Sequence, residues 1–186
     1  MQKIKVKGII MKKIFFVISS SLLLLLGCSS PNEPLSKSEE YFPLEIGNKW
    51  YYNSNYSDTT SINLISEIIG KEEINSKLYY KIIEQNVQSG FLDTIFFRLS
   101  GDTLFNMRKD YNEQIIADFS LNLYDTTYWQ DDMTVVQKNK DIIEFQIPFA
   151  ADYGYSIAFK KGIGITNIVV NGFIYHRRIL IKAEIK

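Results

Sequence analysis

The chain has 186 residues, and its 21 basic and 21 acidic residues leave no net charge. It contains one cysteine and one histidine, which excludes disulfides within the chain and metal sites built from several cysteines or histidines. A neutral chain lacks the basic excess that nucleic-acid-binding proteins direct at phosphates, so no nucleic acid partner is predicted.

The N-terminal segment has the pattern of a secretory signal peptide. Lys12 and Lys13 form a positive flank, and the 13 residues from Ile14 to Leu26 carry no charge and are mainly apolar. As a helix this run would be about 20 Å long, which is shorter than the ~30 Å hydrocarbon core of a bilayer. A secretory signal therefore fits better than a transmembrane helix.

The end of this run carries a family resemblance. The motif Leu25-Leu26-Gly27-Cys28 resembles the lipobox of bacterial lipoproteins. In that family the cysteine thiol receives a diacylglycerol, the signal peptidase cuts before the cysteine, and the new amino group is acylated. The resemblance implies that residues 1–27 are a lipoprotein signal peptide and that Cys28 is the lipidation site. It also implies attachment to a membrane through acyl chains on Cys28, with the outer membrane of the cell envelope as the expected location.

Processing would change both the charge and the free thiol content of the protein. After residue 27 the chain has 16 basic and 21 acidic residues, a net charge of −5, so acyl chains rather than a basic patch would hold it on the membrane. Residues 28–40 contain the polar run Ser29–Glu40 with two prolines and are predicted to be a disordered tether. Residues 41–186 are predicted to form a single domain.

The domain reads as short strands separated by turn signals, and no segment has a helical period over 11 residues or more. This pattern predicts an all-β fold in which an antiparallel sheet forms an open or half barrel, or alternatively a β-sandwich. Eleven strands are predicted: Lys49–Tyr56, Ser61–Ile69, Lys77–Val87, Leu92–Leu99, Thr103–Arg108, Gln114–Ser120, Met133–Lys138, Ile142–Ile147, Tyr155–Lys160, Ile163–Val170 and Phe173–Ile185.

Two local features refine this prediction. Asn171-Gly172 lies between two apolar runs and predicts a hairpin with a type I′ turn, which needs two positive φ values. The stretch Phe91–Ser100 is apolar on both faces. Either the strand is packed on both sides, or one face lines a groove that a ligand, loop or tether covers.

Three patches in the domain resemble a group of uncharacterised β-rich lipoproteins and secreted domains of the Bacteroidota type. They are Tyr41–Tyr52 (YFPLEIGNKWYY), Ile115–Trp129 (IIADFSLNLYDTTYW) and Phe159–Ile168 (FKKGIGITNI). Tyr124 stands in the second patch where the group more often has glycine. The resemblance implies a β architecture and implies no activity.

The glycines of these patches have a physical interpretation. Gly47 allows a tight turn that directs Trp50 into the core, and Gly162 and Gly164 on either side of Ile163 indicate a bend where two backbone segments approach closely.

The residues that could carry chemistry are few. His176 alternates with Arg178 along one strand face beside Arg177, and no Gly-x-Ser-x-Gly nucleophile motif accompanies it. We interpret His176 as a solvated rim residue. The acidic pairs Glu72-Glu73 and Asp131-Asp132 point to opposite faces if they lie on strands, so no catalytic, cofactor-binding or metal site is predicted.

The sequence therefore predicts an envelope lipoprotein that acts as a binding or structural module and is not a histidine- or thiol-dependent enzyme. Its expected partners are the membrane, through Cys28, and an envelope protein, a glycan or a lipid as ligand. Two alternatives stay open: a carrier of lipid or lipoprotein acyl chains in a half-barrel cavity, and a hydrolase of the envelope. A continuous apolar cavity favours the carrier, whereas clustered acids or His176 in a cleft favour the hydrolase.

Overall fold

The computed structural model describes residues 36–54, 60–108, 112–127, 133–150, 153–171 and 176–186. The predicted lipidation site Cys28, the acidic pair Asp131-Asp132 and Gly172 of the predicted type I′ turn lie outside the described residues. The elements are α1 (Lys37–Tyr41), β1 (Lys49–Asn53), β2 (Leu64–Ile74), β3 (Lys77–Asn86), β4 (Leu92–Ser100), β5 (Thr103–Arg108), β6 (Gln114–Asp118), β7 (Thr126–Thr127), β8 (Met133–Lys138), β9 (Ile142–Ala150), β10 (Tyr153–Lys160), β11 (Gly164–Asn171) and β12 (His176–Glu184).

The strands form one antiparallel sheet. Its 12 strands follow the order β6-β5-β4-β3-β2-β1-β12-β11-β10-β9-β8-β7. Strands β1 to β6 form one meander and β7 to β12 form another, and the pairing of β1 with β12 joins them. Strands β11 and β12 form the predicted hairpin, but Val170 lies opposite His176, so five residues separate these partners. The predicted two-residue type I′ turn at Asn171-Gly172 would instead pair Val170 with Phe173, and that turn is therefore wrong.

The short link between the two outer strands forces the sheet to curl. Laid flat, twelve strands would be about 53 Å wide at ~4.8 Å per strand spacing. The chain passes from Asp118 at the end of β6 to Thr126 at the start of β7 in eight residues, which span at most about 29 Å. Because β6 and β7 remain the two edges of the sheet, the result is an open half barrel. The all-β prediction is confirmed, with one curled sheet in place of a sandwich.

Local turn chemistry explains most strand boundaries. The bounds of β5 and β8 match the prediction, and β2 runs on to Ile74, where the prediction stopped at Ile69. The turn between β2 and β3 has φ values of 51° at Asn75 and 60° at Ser76, the pattern of a two-residue type I′ turn. Strand β7 was missed because a two-residue strand leaves no periodic signal.

The predicted tether is wrong at its C-terminal end. Ser36 caps helix α1 in a reciprocal capping box with Glu39, and the buried Ser38 hydroxyl donates to the carbonyl of Gly101 at 2.7 Å. Tyr41 stacks on Phe119 with ring centroids 5.3 Å apart. The folded part therefore includes residues 36–40. The Ser-x-x-Glu pattern of a capping box is present in the sequence, although the polar composition around it is typical of a disordered segment.

An aromatic plug fills the end of the half barrel next to α1, which we call the closed end. Phe42 packs against Trp50, Phe97 and Phe159 at centroid distances of 5.5, 5.3 and 6.1 Å. The indole Nε1 of Trp50 donates to the carbonyl of Ile163 at 2.5 Å. As predicted, Trp50 is buried in the core, and it follows directly on a turn in which Gly47 has a φ of 93°.

Candidate functional site

The concave face of the half barrel encloses a cavity of about 810 Å³. Every strand except β7 contributes residues to its lining, and the plug residues Phe42, Trp50 and Phe97 form its floor. The walls are mainly branched aliphatic side chains. They include Leu64, Ile82, Ile95, Ile115, Ile116, Ile147, Ile157, Ile165, Ile168 and Val170.

The alternation of side chains along each strand produces this lining. On β4, Ile95 and Phe97 line the cavity, whereas Phe96 between them packs with Tyr79 and Met107 in a separate cluster on the other face. Successive residues of a strand point to opposite faces of a sheet. The stretch that was apolar on both faces is therefore packed on one side and lines the cavity on the other, although Phe91 at its start is exposed.

Polar side chains gather at the opposite end of the half barrel, which we call the open end. Strands β3 and β5 end there at Asn86 and Arg108, and the antiparallel β12 begins there at His176. All three residues line the cavity, as do Ser54 and Gln114. A linear ligand would therefore meet an aromatic floor at the closed end and hydrogen-bonding groups at the open end.

An ion pair crosses the concave face near the open end. Nη1 of Arg178 lies 2.5 Å from Oε1 of Glu84, and the Ser66 hydroxyl donates to the same oxygen at 3.1 Å. Glu84 is buried, with 8% of its surface exposed. A buried carboxylate is costly unless it is paired and hydrogen-bonded, and both conditions are met here. Sequence reasoning missed Glu84, although it is the acidic residue that follows Ile82 on the cavity face of β3.

Tyr52 lies close to this pair and is held in its protonated form. Burial raises the pKa of the Tyr52 hydroxyl far above its ordinary value, and the Glu84 charge raises the pKa further, while the Arg178 charge opposes the shift. The hydroxyl donates to the carbonyl of Ile165 at 3.1 Å. Tyr52 therefore fixes β1 to β11 and is unsuited to act as a proton acceptor at neutral pH.

The other cations of the cavity are more exposed. Nη1 of Arg108 lies 3.5 Å from Oδ2 of Asp93, and half of the Arg108 side chain is exposed. Arg177 also lines the cavity. His176 is exposed at the rim, as predicted, and within the described part of the chain it shows no hydrogen bond or ion pair.

A second polar cluster lies near the separate apolar cluster of the convex face. Glu113 accepts from Lys77 Nζ and Tyr79 hydroxyl, both at 2.7 Å, and from Arg98 Nε at 2.8 Å. Burial alone would raise the pKa of Glu113, but the three donors outweigh it and lower the pKa to about 2. This cluster holds the segment before β6 to β3 and β4, and none of its members lines the cavity.

The described residues contain no group of three or more His, Cys, Asp or Glu side chains placed to hold a metal ion. Within the same ranges, no helix has the length and hydropathy needed to cross a membrane.

Comparisons with known proteins identify the fold alone. No family model matches the sequence, and no curated protein matches it. A solved structure is similar: a Bacteroides fragilis protein inferred to be exported, with a YmcC-like fold. The similarity has a TM-score of 0.51 at 11% sequence identity and covers 77% of this chain and 98% of the other.

Proposed function

We propose that this protein is a lipid-anchored lipoprotein of the cell envelope that binds the apolar chain of an amphiphilic ligand in its half-barrel cavity. The observation that carries this proposal is the cavity itself, with a volume of about 810 Å³ and aliphatic walls. Pockets that hold small ligands range over roughly 300–1,000 Å³ and are lined mainly by apolar side chains.

The arrangement of the lining suits a chain that enters from one end. The aromatic plug closes one end, so a ligand enters from the open end and extends towards Trp50 and Phe42. Burial of apolar surface supplies the affinity, at about 0.8 kcal/mol for each CH₂ group. Affinity is therefore expected to rise about fourfold for each CH₂ added to a ligand chain, until the chain reaches the floor.

The proposed location rests on two observations. The Leu25-Leu26-Gly27-Cys28 motif supports lipidation of Cys28 and anchoring in the outer membrane. The similar protein from Bacteroides fragilis is inferred to be exported, and the same is proposed for this chain. An anchored carrier or binding protein would hold an amphiphile next to the membrane from which the ligand comes.

The described side chains support binding more than hydrolysis. A nucleophilic mechanism needs a base within hydrogen-bond reach of the nucleophile. The carboxylate of Glu84 is engaged by Arg178 and Ser66, and His176 at the rim has no hydrogen-bonded partner among the residues that the structure describes. The lining therefore offers a binding surface without an assembled catalytic pair.

The test is a binding assay with the chain from residue 28 onwards, carrying Cys28→Ser and purified without detergent. A fluorescent fatty-acyl probe is displaced by saturated chains of increasing length. Ile147→Trp and Ile168→Trp fill the cavity from two walls and are expected to weaken binding at least tenfold. Ile181→Trp is the matched control, because Ile181 is exposed and lies outside the cavity lining. Probe binding that is independent of chain length, or that is unchanged in both filled variants, would overturn the proposal.

A further inference from the structure

The charged residues that line the cavity are mainly basic, whereas the chain after residue 27 is acidic overall. Arg108, Arg177 and Arg178 line the cavity and are three of the four arginines of the protein. None of the described lysines lines it, and Glu84 is the one acidic residue among the lining residues. The chain after residue 27 has a net charge of −5, so a surplus of positive charge in the cavity runs against the overall balance.

Glu84 does not cancel this surplus. Its carboxylate is matched by Arg178 at 2.5 Å, which leaves Arg108 without an acidic partner within the lining. Arg177 lies opposite Val169, on the other face of the strand from Arg178, so its charge does not add to that of the cavity. A guanidinium group has five N–H donors, and among the described residues Arg178 makes one contact, with Glu84, which uses only part of this set. Because 29% of the Arg178 side chain remains exposed, such donors can reach an incoming ligand. The contact with Glu84 therefore fixes the position of the Arg178 guanidinium before a ligand binds, so its other N–H groups can donate to that ligand.

The pair of Arg108 with Asp93 is of a weaker kind. At 3.5 Å, with half of the arginine side chain exposed, it resembles surface ion pairs that contribute little to stability. A ligand anion can compete for Arg108 without leaving a buried charge behind. Arg108 at the end of β5 and Arg178 near the start of β12 both belong to the open end of the half barrel.

We infer that the ligand bound in the cavity is an anionic amphiphile whose carboxylate or phosphate head group is held by Arg108 and Arg178 at the open end. This inference rests on the proposed function, because the aliphatic walls take the chain of the same ligand. Arginine suits this role because its planar fork matches carboxylate and phosphate oxygens and gives up hydration more readily than lysine does.

The experiment compares ligands that share one C18 chain and differ in the head group. Oleate carries a carboxylate, oleoyl lysophosphatidic acid carries a phosphate, oleyl alcohol is neutral, and oleylamine is cationic. Both anionic ligands are expected to bind the Cys28→Ser chain about tenfold more tightly than oleyl alcohol, because hydrogen bonds to charged groups are the stronger class. The tighter of the two anions identifies the head group.

Two variants and one control test whether the arginines cause the tighter binding of the anionic ligands. Arg108→Gln is expected to weaken the two anionic ligands about fivefold and to leave oleyl alcohol unchanged. Lys160→Gln makes the same charge change at an exposed position outside the cavity lining and should alter none of the four ligands. Glu84→Gln combined with Arg178→Gln removes the second arginine without stranding a buried carboxylate, and it should weaken the anionic ligands alone.

The outcomes separate this inference from the proposed function. If oleyl alcohol binds as tightly as oleate and lysophosphatidic acid, the head-group inference is wrong and the apolar binding function stands. Anionic binding that is unchanged in Arg108→Gln and in the double variant also overturns the inference. If no ligand with the C18 chain binds the wild-type cavity, both the inference and the proposed function fail.

Discussion

The guanidinium of Arg178 and the carboxylate of Glu84 form a 2.5 Å ion pair between residues 94 positions apart in the chain. The pair links β12 to β3 across the two intervening strands β1 and β2. It therefore crosses the seam where the two meanders meet, and it does so on the concave face. A contact between strands that are this far apart in the sheet helps to hold the curvature of the sheet, and the cavity depends on that curvature.

Removing one member of this pair should be costly, whereas removing both should cost much less. Arg178→Met leaves the buried Glu84 carboxylate without its counter-charge, a change that typically costs about 3–5 kcal/mol. The double variant Glu84→Met/Arg178→Met replaces both charges with apolar side chains and should recover most of that stability. Urea unfolding of the wild type, both single variants and the double variant gives the coupling energy. Additive effects of the two substitutions would show that the pair carries no coupling.

The Glu113 cluster predicts a pH dependence of stability. Its folded-state pKa of about 2 lies below the ordinary value of 4.5, so its contribution is present above the unfolded pKa and is lost as the pH falls. Glu113→Gln should therefore be less stable than the wild type near pH 7, and the difference should shrink between about pH 5 and pH 2. Urea midpoints measured across that interval test the prediction.

The control for this titration is Glu72→Gln. Glu72 pairs with Lys81 at 3.3 Å, and 46% of its side chain is exposed, so the loss should be under about 1 kcal/mol. A difference between wild type and Glu113→Gln that stays constant down to pH 2 would contradict the assignment of the pH dependence to Glu113.

The fold could be predicted from the sequence wherever the signal was local. Alternating apolar residues and turn residues placed β5 and β8 within their observed bounds, because the period of two and the turn chemistry act over a few residues. The curl of the sheet also requires the pairing of β1 with β12, which joins the two ends of the domain. No local sequence pattern predicts a contact between residues so far apart in the chain.

The candidate site was less predictable for the same reason. Glu84, Arg178 and the isoleucines of the cavity come from strands distributed along the whole domain. The sequence around each of these residues has the pattern of an ordinary half-buried strand and does not mark the residue as part of a cavity. His176 was singled out beforehand because it is the single histidine, and the structure places it at the rim. The stretch Phe91–Ser100 was a second candidate, and its Ile95 and Phe97 line the cavity.

The bend predicted from Gly162 and Gly164 allows a matched pair of substitutions. Both glycines have positive φ, 71° and 102°. A Cβ on Gly164 would lie 2.9 Å from the Phe42 ring and 3.1 Å from Nε1 of Trp50, whereas a Cβ on Gly162 meets nothing within 4 Å. Gly164→Ala should therefore cost about 1–3 kcal/mol more than Gly162→Ala, because overpacking adds to the backbone strain that the two share. Equal losses of stability for the two variants in thermal unfolding would contradict this prediction, because Phe42 and Trp50 would then accommodate the added methyl group without any loss of stability.

Tyr124 has a left-handed backbone conformation. It adopts a φ of 70° and is 75% exposed, so its side chain gains little from packing. Left-handed backbone costs a non-glycine residue about 1–2 kcal/mol, and the greater chain entropy of unfolded glycine offsets part of this cost. Tyr124→Gly should raise stability by about 0.5–1 kcal/mol. Tyr124→Ala keeps a Cβ and should give no such gain, and a loss of stability in Tyr124→Gly would contradict the strain argument.

The proposed anchor makes a prediction that is independent of the cavity. Cys28 is the single cysteine of the chain, so Cys28→Ala removes every thiol that could receive a diacylglycerol. Stable membrane attachment needs two or more acyl chains. The variant should therefore lose incorporation of labelled palmitate and move from the detergent phase to the aqueous phase in a phase-partition assay. Ser29→Ala is the neighbouring control and should partition like the wild type. Equal partition of wild type and Cys28→Ala into the detergent phase would refute the anchor, and it would leave ligand binding by the half barrel to be judged on the cavity alone.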